Sequence, residues 1–266
     1  MPNNSISRRR FLQSTGAAAI WLPATVKGYT ASEMQALYVD GAMQEDISKW
    51  ELDTPALCVD LDLLETNIAT MQSTMMSNGI ACRPHAKTHK TPIIAQMQMD
   101  SGSVGICTAK ISEAETMFQH GIEEILMTTT NVTPTKIRRA MTLRLSCDSF
   151  IQATDSPENA RLHSEAAEAM GATADIVIDV DPGGHRTGIT SGEPALQLAQ
   201  LVDTLPALRL RGLLCYDGGS QHVKGFERRK TQTLERLAAA TETYDLFNGA
   251  GLNTDIFSGG GTGTYN

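Results

Sequence analysis

From Asp53 onward, apolar residues follow two patterns that take turns. One is a short apolar run, as in ALCVDL (56–61), IACRPH (80–85), VGICTA (104–109), EILMTT (124–129), DSFIQA (148–153), ADIVIDV (174–180), LRLRGLLCY (208–216) and the start of TDIFSGGGTGTYN (254–266). Such runs, bounded by turn residues, predict buried strands. The other pattern has helical spacing and fills 63–79, 91–102, 112–121, 133–144, 155–171, 192–205 and 224–247. Leu64, Ile68, Met71 and Met75 line one face of the first of these, which stops at Asn78-Gly79. Pro92, Pro134 and Pro157 sit in the first turns of three others, where a missing N–H is tolerated. Strict alternation of strand and helix predicts parallel strands with helical crossovers. Eight such strands is the number that closes a (β/α)8 TIM-type barrel, with a doubly wound open sheet as the alternative. The chain stops at Asn266, just after the eighth strand, so the expectation is a barrel truncated before its last helix.

The first 52 residues do not share this pattern. Residues 29–52 show no period and read as a linker or N-terminal arm. Before them, Ser7-Arg8-Arg9-Arg10-Phe11-Leu12 leads into a short, weakly apolar stretch of Ala, Ile, Trp and Leu. A positive segment followed by an apolar one is the layout of a signal peptide, here assigned to residues 1–28. The stretch is too short to span a membrane, which needs about 20 apolar residues. The order of residues resembles a twin-arginine export signal, which implies a periplasmic protein exported after folding.

Composition narrows the function. The formal net charge of −8 offers no basic footprint for nucleic acid and no polybasic surface for lipid. The five cysteines form no C-x-x-C, which leaves zinc-finger and thioredoxin-like chemistry without support. They lie in or beside apolar runs and read as buried thiols acting as small hydrophobes.

In parallel barrels the chemistry sits at the C-terminal ends of the strands. Arg83, His85, Lys87, His89 and Lys90 follow the second strand, and DVDPGGHRTG (179–188) the sixth. YDGGSQH (216–222) follows the seventh strand and SGGGTGT (258–264) the eighth. Ser258, Gly259, Gly260, Gly261 and Thr262 can converge backbone N–H groups and hydroxyls on an anion, and barrels often hold a phosphate near strands seven and eight. A lysine just past a buried strand, partly desolvated, is a usable nucleophile toward an aldehyde. Lys87 is that lysine, and His85, alternating with it, is placed to orient it; Lys90 reads as a solvated residue where the next helix starts. An amine on one side of the mouth and a phosphate cradle on the other suit pyridoxal 5'-phosphate, held as a Schiff base on Lys87.

These motifs resemble the fold-type III, alanine-racemase-like pyridoxal-phosphate enzymes, and within them the D-threonine aldolase and D-serine dehydratase branch. The resemblance covers 53–266 and rests on DTPALCVDLDLLETNI, RPHAKTHK, DVDPGGHRTG, YDGGSQH and SGGGTGTY. It implies that Lys87 carries the cofactor, that Arg186 and Tyr216 line it, and that His222 lies near the substrate hydroxyl. Gly219 stands where many members of that branch have a histidine.

The resemblance further implies a homodimeric lyase acting on a small D-amino acid. A D-threonine-aldolase-like enzyme would cleave a D-β-hydroxy-α-amino acid to glycine and an aldehyde; a D-serine dehydratase would release ammonia instead. Both would use a divalent metal held by a C-terminal β-domain, so no metal ligand is assigned within these residues. A racemase and a non-catalytic pyridoxal-phosphate-binding protein of cofactor homeostasis are the other readings open to such a barrel.

Overall fold

The computed structural model describes residues 28–39 and 42–265. Apart from Gly28, the signal segment expected over 1–28 lies outside the described residues. Two compact units divide the chain: Met1–Cys82 with Thr91–Ser103, and Arg83–Lys90 with Val104–Asn266.

In the first unit, α1 (Ala31–Ala36) opens on a capping box in which the Thr30 hydroxyl accepts from the Glu33 N–H and the Glu33 carboxylate accepts from Thr30. A two-strand antiparallel ribbon follows, β1 (Tyr38–Val39) with β2 (Ala42–Met43). The stretch read as a linker or N-terminal arm thus holds a short helix and a ribbon. Helix α2 (Leu61–Ser77) starts at Asp60, whose carboxylate accepts the Leu63 N–H at 3.1 Å. Helix α3 (Pro92–Asp100) has proline in its first turn, as its sequence predicts. The run 56–61 does not form the expected strand: residues 56–60 are exposed and carry no regular structure.

The second unit alternates β3 (Ile106–Thr108), α4 (Ile111–Gln119), β4 (Ile125–Met127), α5 (Pro134–Ser146), β5 (Ile151–Thr154), α6 (Pro157–Met170), β6 (Ala174–Asp181), β7 (Ile189–Thr190), α7 (Glu193–Thr204), β8 (Leu208–Cys215), α8 (Phe226–Gly249) and β9 (Ile256–Gly259). The sheet order is β3-β4-β5-β6-β8-β9, parallel throughout, with the short β7 beside β6. It is an α/β fold whose parallel sheet curls as half a barrel. The second expected strand, 80–85, contributes a single parallel bridge, His85 to Cys107.

Helices cover the sheet: α4 packs on β3 and β4, α6 on β6 and β8, and α7 on β6, β7 and β8. Every residue of β3, β4 and β5 is buried, as a strand covered on both faces requires. Cys107, Leu126, Ile151, Ala153, Val177 and Leu214 form one core cluster, with Ile256 against it. At the N-terminal ends of β6 and β8, the buried Asp175 accepts from Arg209 Nη2 at 2.7 Å and Arg211 Nη1 at 2.9 Å. The pairing of β6 with β8 shifts between Ile176 and Val177. The following Gly212, at φ +125°, lies so close to β9 that a Cβ would fall 2.1 Å from the Ile256 carbonyl oxygen.

Cys107, Cys147 and Cys215 are buried as expected, but Cys58, in the unpaired run, is exposed. Among the described residues no helix is long and apolar enough to cross a membrane.

Candidate functional site

The loop after the second apolar run is anchored through its backbone. Ala86 N–H donates to the Cys107 carbonyl at 2.9 Å, and Cys107 N–H donates to the Pro84 carbonyl at 2.8 Å. From there the chain turns sharply over 86–89. Lys87 N–H donates to His85 Nδ1 at 3.2 Å. That acceptor role puts the imidazole hydrogen on Nε2, which lies 3.1 Å from Thr128 Oγ1. Thr128 Oγ1 in turn donates to the Thr108 carbonyl at 3.2 Å. Burial and the neighbouring Lys87 push His85 down to about 4, so the ring is neutral, as this chain of bonds requires.

Lys87 is exposed rather than half-buried and lies within the turn that follows His85. Its Nζ stands 5.1 Å from the centroid of the Tyr216 ring, a cation–π distance. Lys90 is not a free surface charge. It adopts φ +52° and pairs with the buried Glu113, whose other oxygen accepts the Ala109 N–H at 2.9 Å.

Tyr216 follows β8 and folds back over Gly218, where a Cβ would fall 2.9 Å from the ring. Gln221 Nε2 donates to the Tyr216 hydroxyl at 2.7 Å, and Gln221 Oε1 accepts the Gly263 N–H at 3.2 Å. The turn that carries Gln221 is organised by the buried Asp217. Its Oδ1 accepts the Gly219 N–H at 3.0 Å and Arg236 Nη1 at 2.6 Å, and its Oδ2 accepts the Ser220 hydroxyl. Burial raises the Asp217 carboxyl, but the bonds from Ser220 and Arg236 outweigh it and hold the group below its ordinary range.

The glycine run leaves β9 at Ser258 and Gly259. A Cβ on Gly259 would fall 2.2 Å from the Cys215 carbonyl oxygen, so only glycine lets β9 approach β8 this closely. Gly260 follows at φ +76°, and Gly261 accepts the Thr264 N–H at 3.0 Å to close a turn. Ser258, Gly260 and Gly261 are half-buried, whereas Thr262 is exposed.

At the end of β6, Asp181 Oδ1 accepts the N–H groups of Gly183, Gly184 and His185 at 2.9, 2.8 and 3.0 Å. This turn holds Arg186, which is exposed and makes no hydrogen bond or ion pair among the described residues. The buried Asp179 is pushed up to about 7 by burial, reinforced by Asp155 and Asp181 and opposed by the Thr187 hydroxyl. His222 is also exposed and lines an open groove of about 670 Å³ with Lys224, Glu227 and Arg228. The structure thus joins His85, Lys87, Tyr216 and the glycine loop through direct contacts. Arg186 and His222 share no hydrogen bond, ion pair or ring contact with that group.

Residues 59–265 match the alanine racemase, N-terminal domain, family model. The chain belongs to the alanine racemase N-terminal domain family.

Within that family it is 35% identical over 216 residues to 3-hydroxy-D-aspartate aldolase of Paracoccus denitrificans (strain Pd 1222), covering 81% of this chain and 56% of the relative. The crystal structure of D-threonine aldolase from Filomicrobium marinum superposes with a TM-score of 0.78 at 38% identity, over 80% of this chain and 57% of that one. D-threo-3-hydroxyaspartate dehydratase from Delftia sp. HT23 superposes with a TM-score of 0.75 at 30% identity, over 80% and 56%. The chain therefore spans about half the length of the relatives it matches.

The residues present fit a phosphorylated aldehyde such as pyridoxal phosphate. Lys87 offers an exposed primary amine beside an aromatic ring. The N–H groups of Gly261 and Thr262 have no acceptor among the described residues and are available to an anion. No group of three or more His, Cys, Asp or Glu side chains is placed to hold a metal ion among the described residues.

The alanine racemase-like motifs do not single out several residues that build the site. Thr128 is an ordinary strand-end threonine in the sequence. Gln221 sits inside YDGGSQH, next to the histidine that draws attention. Asp217 and Arg236 meet only because α8 folds back on the β8 loop. The one available signal was Asp217 itself, an aspartate two residues beyond a fully apolar strand end.

Proposed function

We propose that this chain is the cofactor-holding barrel of a pyridoxal-phosphate-dependent lyase of D-β-hydroxy-α-amino acids, cleaving them to glycine and an aldehyde as a D-threonine aldolase does. One observation carries the reading: the Lys87 amine stands over Tyr216, and the Tyr216 hydroxyl is tied through Gln221 to the glycine loop. An amine and an anion cradle joined by one aromatic side chain suit a planar aldehyde bearing a phosphate. Two of the relatives named above are aldolases of this substrate class, which supports the choice of reaction.

The residues take these roles in the proposal. Lys87 Nζ is the covalent anchor for the aldehyde carbon. His85, neutral and bonded to the Lys87 N–H, fixes the backbone that presents the amine. Ser258, Gly259, Gly260, Gly261 and Thr262 bind the phosphate through N–H and hydroxyl groups. Tyr216 lines the ring, and the family resemblance, rather than a contact, assigns Arg186 to the ring and His222 to the proton of the substrate β-hydroxyl. Pyridoxal phosphate held there supplies the electron sink for the pair released when a bond to the substrate Cα breaks.

A dehydratase is the second reading, favoured by the likeness to the Delftia enzyme. One assay separates the two: D-threonine, 3-hydroxy-D-aspartate and D-serine are offered with and without a divalent metal ion. Glycine plus an aldehyde marks the aldolase; a keto acid plus ammonia marks the dehydratase. Borohydride reduction is expected to leave the cofactor absorbance covalently attached to the wild-type chain after denaturation, and a Lys87→Ala protein that retained it to the same extent would refute the anchor.

Residues 1–28 we assign as a twin-arginine-type export signal and the protein as a periplasmic homodimer. Fusion of 1–28 to a folded reporter tests the first, with Arg8→Lys and Arg9→Lys together expected to block export. Light scattering on the purified protein tests the second.

A further inference from the structure

We infer that Gln221 is a positioning residue that seats the glycine loop against Tyr216, so that the ring facing Lys87 and the anion cradle are held as one rigid piece. This rests on the pyridoxal-phosphate reading above and adds a residue that no motif assigned to it.

Two independent features lead to Gln221. The first is that both ends of its amide are used. Nε2 donates to the Tyr216 hydroxyl at 2.7 Å and Oε1 accepts from Gly263 at 3.2 Å. Reversing the amide would set its NH2 against the Gly263 N–H, donor against donor, so the orientation is fixed. The second is steric. A Cβ on Gly261 would fall 2.8 Å from Gln221 Cδ and Oε1, and one on Gly263 would fall 2.9 Å from Gln221 Cβ. Both glycines therefore rest directly on this side chain, and the loop has no room to settle further.

Gln221 is itself held from behind. It lies in the 3-10 turn Ser220–His222, whose Ser220 is fully buried and bonded to Asp217 and to Gln232 Nε2 at 3.1 Å. Arg236 of α8 closes this network on Asp217. Because the Tyr216 hydroxyl accepts from Gln221, its own hydrogen remains to be donated toward the site. Asparagine is one methylene too short for both bonds. Glutamate keeps the acceptor for Gly263 and puts a negative charge beside the cradle.

The test compares pyridoxal 5'-phosphate with pyridoxal, which lacks the phosphate, as ligands of the full chain, read by cofactor absorbance. Gln221→Met keeps the bulk and loses both bonds; its affinity for pyridoxal phosphate is expected to fall about tenfold, the effect of roughly one to two hydrogen bonds, with pyridoxal changed less than about threefold. Gln221→Glu is expected to weaken pyridoxal phosphate further and to spare pyridoxal. Equal weakening of both ligands, or of neither, overturns the inference. A wild-type chain that binds neither ligand refutes the underlying reading instead. The seating is then judged in the cofactor-free chain, where Gln221→Met is expected to speed amide hydrogen exchange at Gly263 at least about tenfold. Unchanged exchange there sinks the inference whatever the cofactor does.

Discussion

His85 Nδ1 accepts the backbone N–H of Lys87, two residues ahead of it, at 3.2 Å. The bond requires a neutral ring, and burial beside Lys87 keeps the ring neutral by lowering it from 6.5 to about 4. The imidazole thus acts as a spacer with one donor and one acceptor, aligned between the loop and Thr128.

The sign of the pH dependence follows. A histidine lowered on folding binds fewer protons folded than unfolded between these two values. Its contribution is full above pH 6.5 and is lost as pH falls toward 4. Urea melts of wild type at pH 7.5 and 5 are expected to show this loss. His85→Phe, which cannot titrate, flattens the profile in that window and at pH 7.5 is less stable by about 0.5–1.5 kcal/mol, the net worth of the lost bond to the Lys87 N–H.

Asp179 behaves in the opposite sense. Its carboxyl is raised from 3.8 to about 7, so its contribution is present below 3.8 and lost as pH rises through 7. Asp179→Asn removes the buried charge. The variant's gain in Tm over wild type, measured on cofactor-free protein, is expected to be larger at pH 8 than at pH 4.5.

Arg236 is the cation that balances the buried Asp217. Arg236→Ala leaves that carboxylate uncompensated and is expected to cost about 2–3 kcal/mol by denaturant titration, less than a fully buried pair because the guanidinium is partly solvated. Arg236→Lys recovers only part of this, since an ammonium does not reproduce the guanidinium's directed N–H.

Gly259→Ala sets a methyl group against the Cys215 carbonyl oxygen, where the Cβ would fall at 2.2 Å. Strand β9 must shift away from β8. The expected loss is about 1–3 kcal/mol, the usual range for overpacking, read as a lower Tm.

Much of this architecture is legible in the sequence because it is local. The spacing of apolar residues and the prolines at 92, 134 and 157 place all seven expected helices, and the runs near 106, 126, 151, 177, 213 and 256 become strands. The runs 56–61 and 80–85 fail for one reason. A strand exists through hydrogen bonds to a neighbour, and apolar β-branched residues alone do not supply one. Leu57 and Val59 are exposed, and only His85 of the second run bridges to β3.

The candidate site divides in the same way. The rule that chemistry gathers at strand ends finds the Lys87 and Tyr216 loops, which meet in the structure. It cannot find Gln221 or Arg236, because a glutamine and a helix arginine acquire their roles only once α8 and the glycine loop have folded against the β8 turn.

At the opposite ends of the same strands, Asp175 grips Arg209 and Arg211. That clamp ties β6 to β8 on the side of the sheet where no candidate residue lies. The strand bottoms work as a foundation and the strand tops as interchangeable fittings. Substitutions in the loops can then retune what this half-barrel binds while the frame beneath them stays standing.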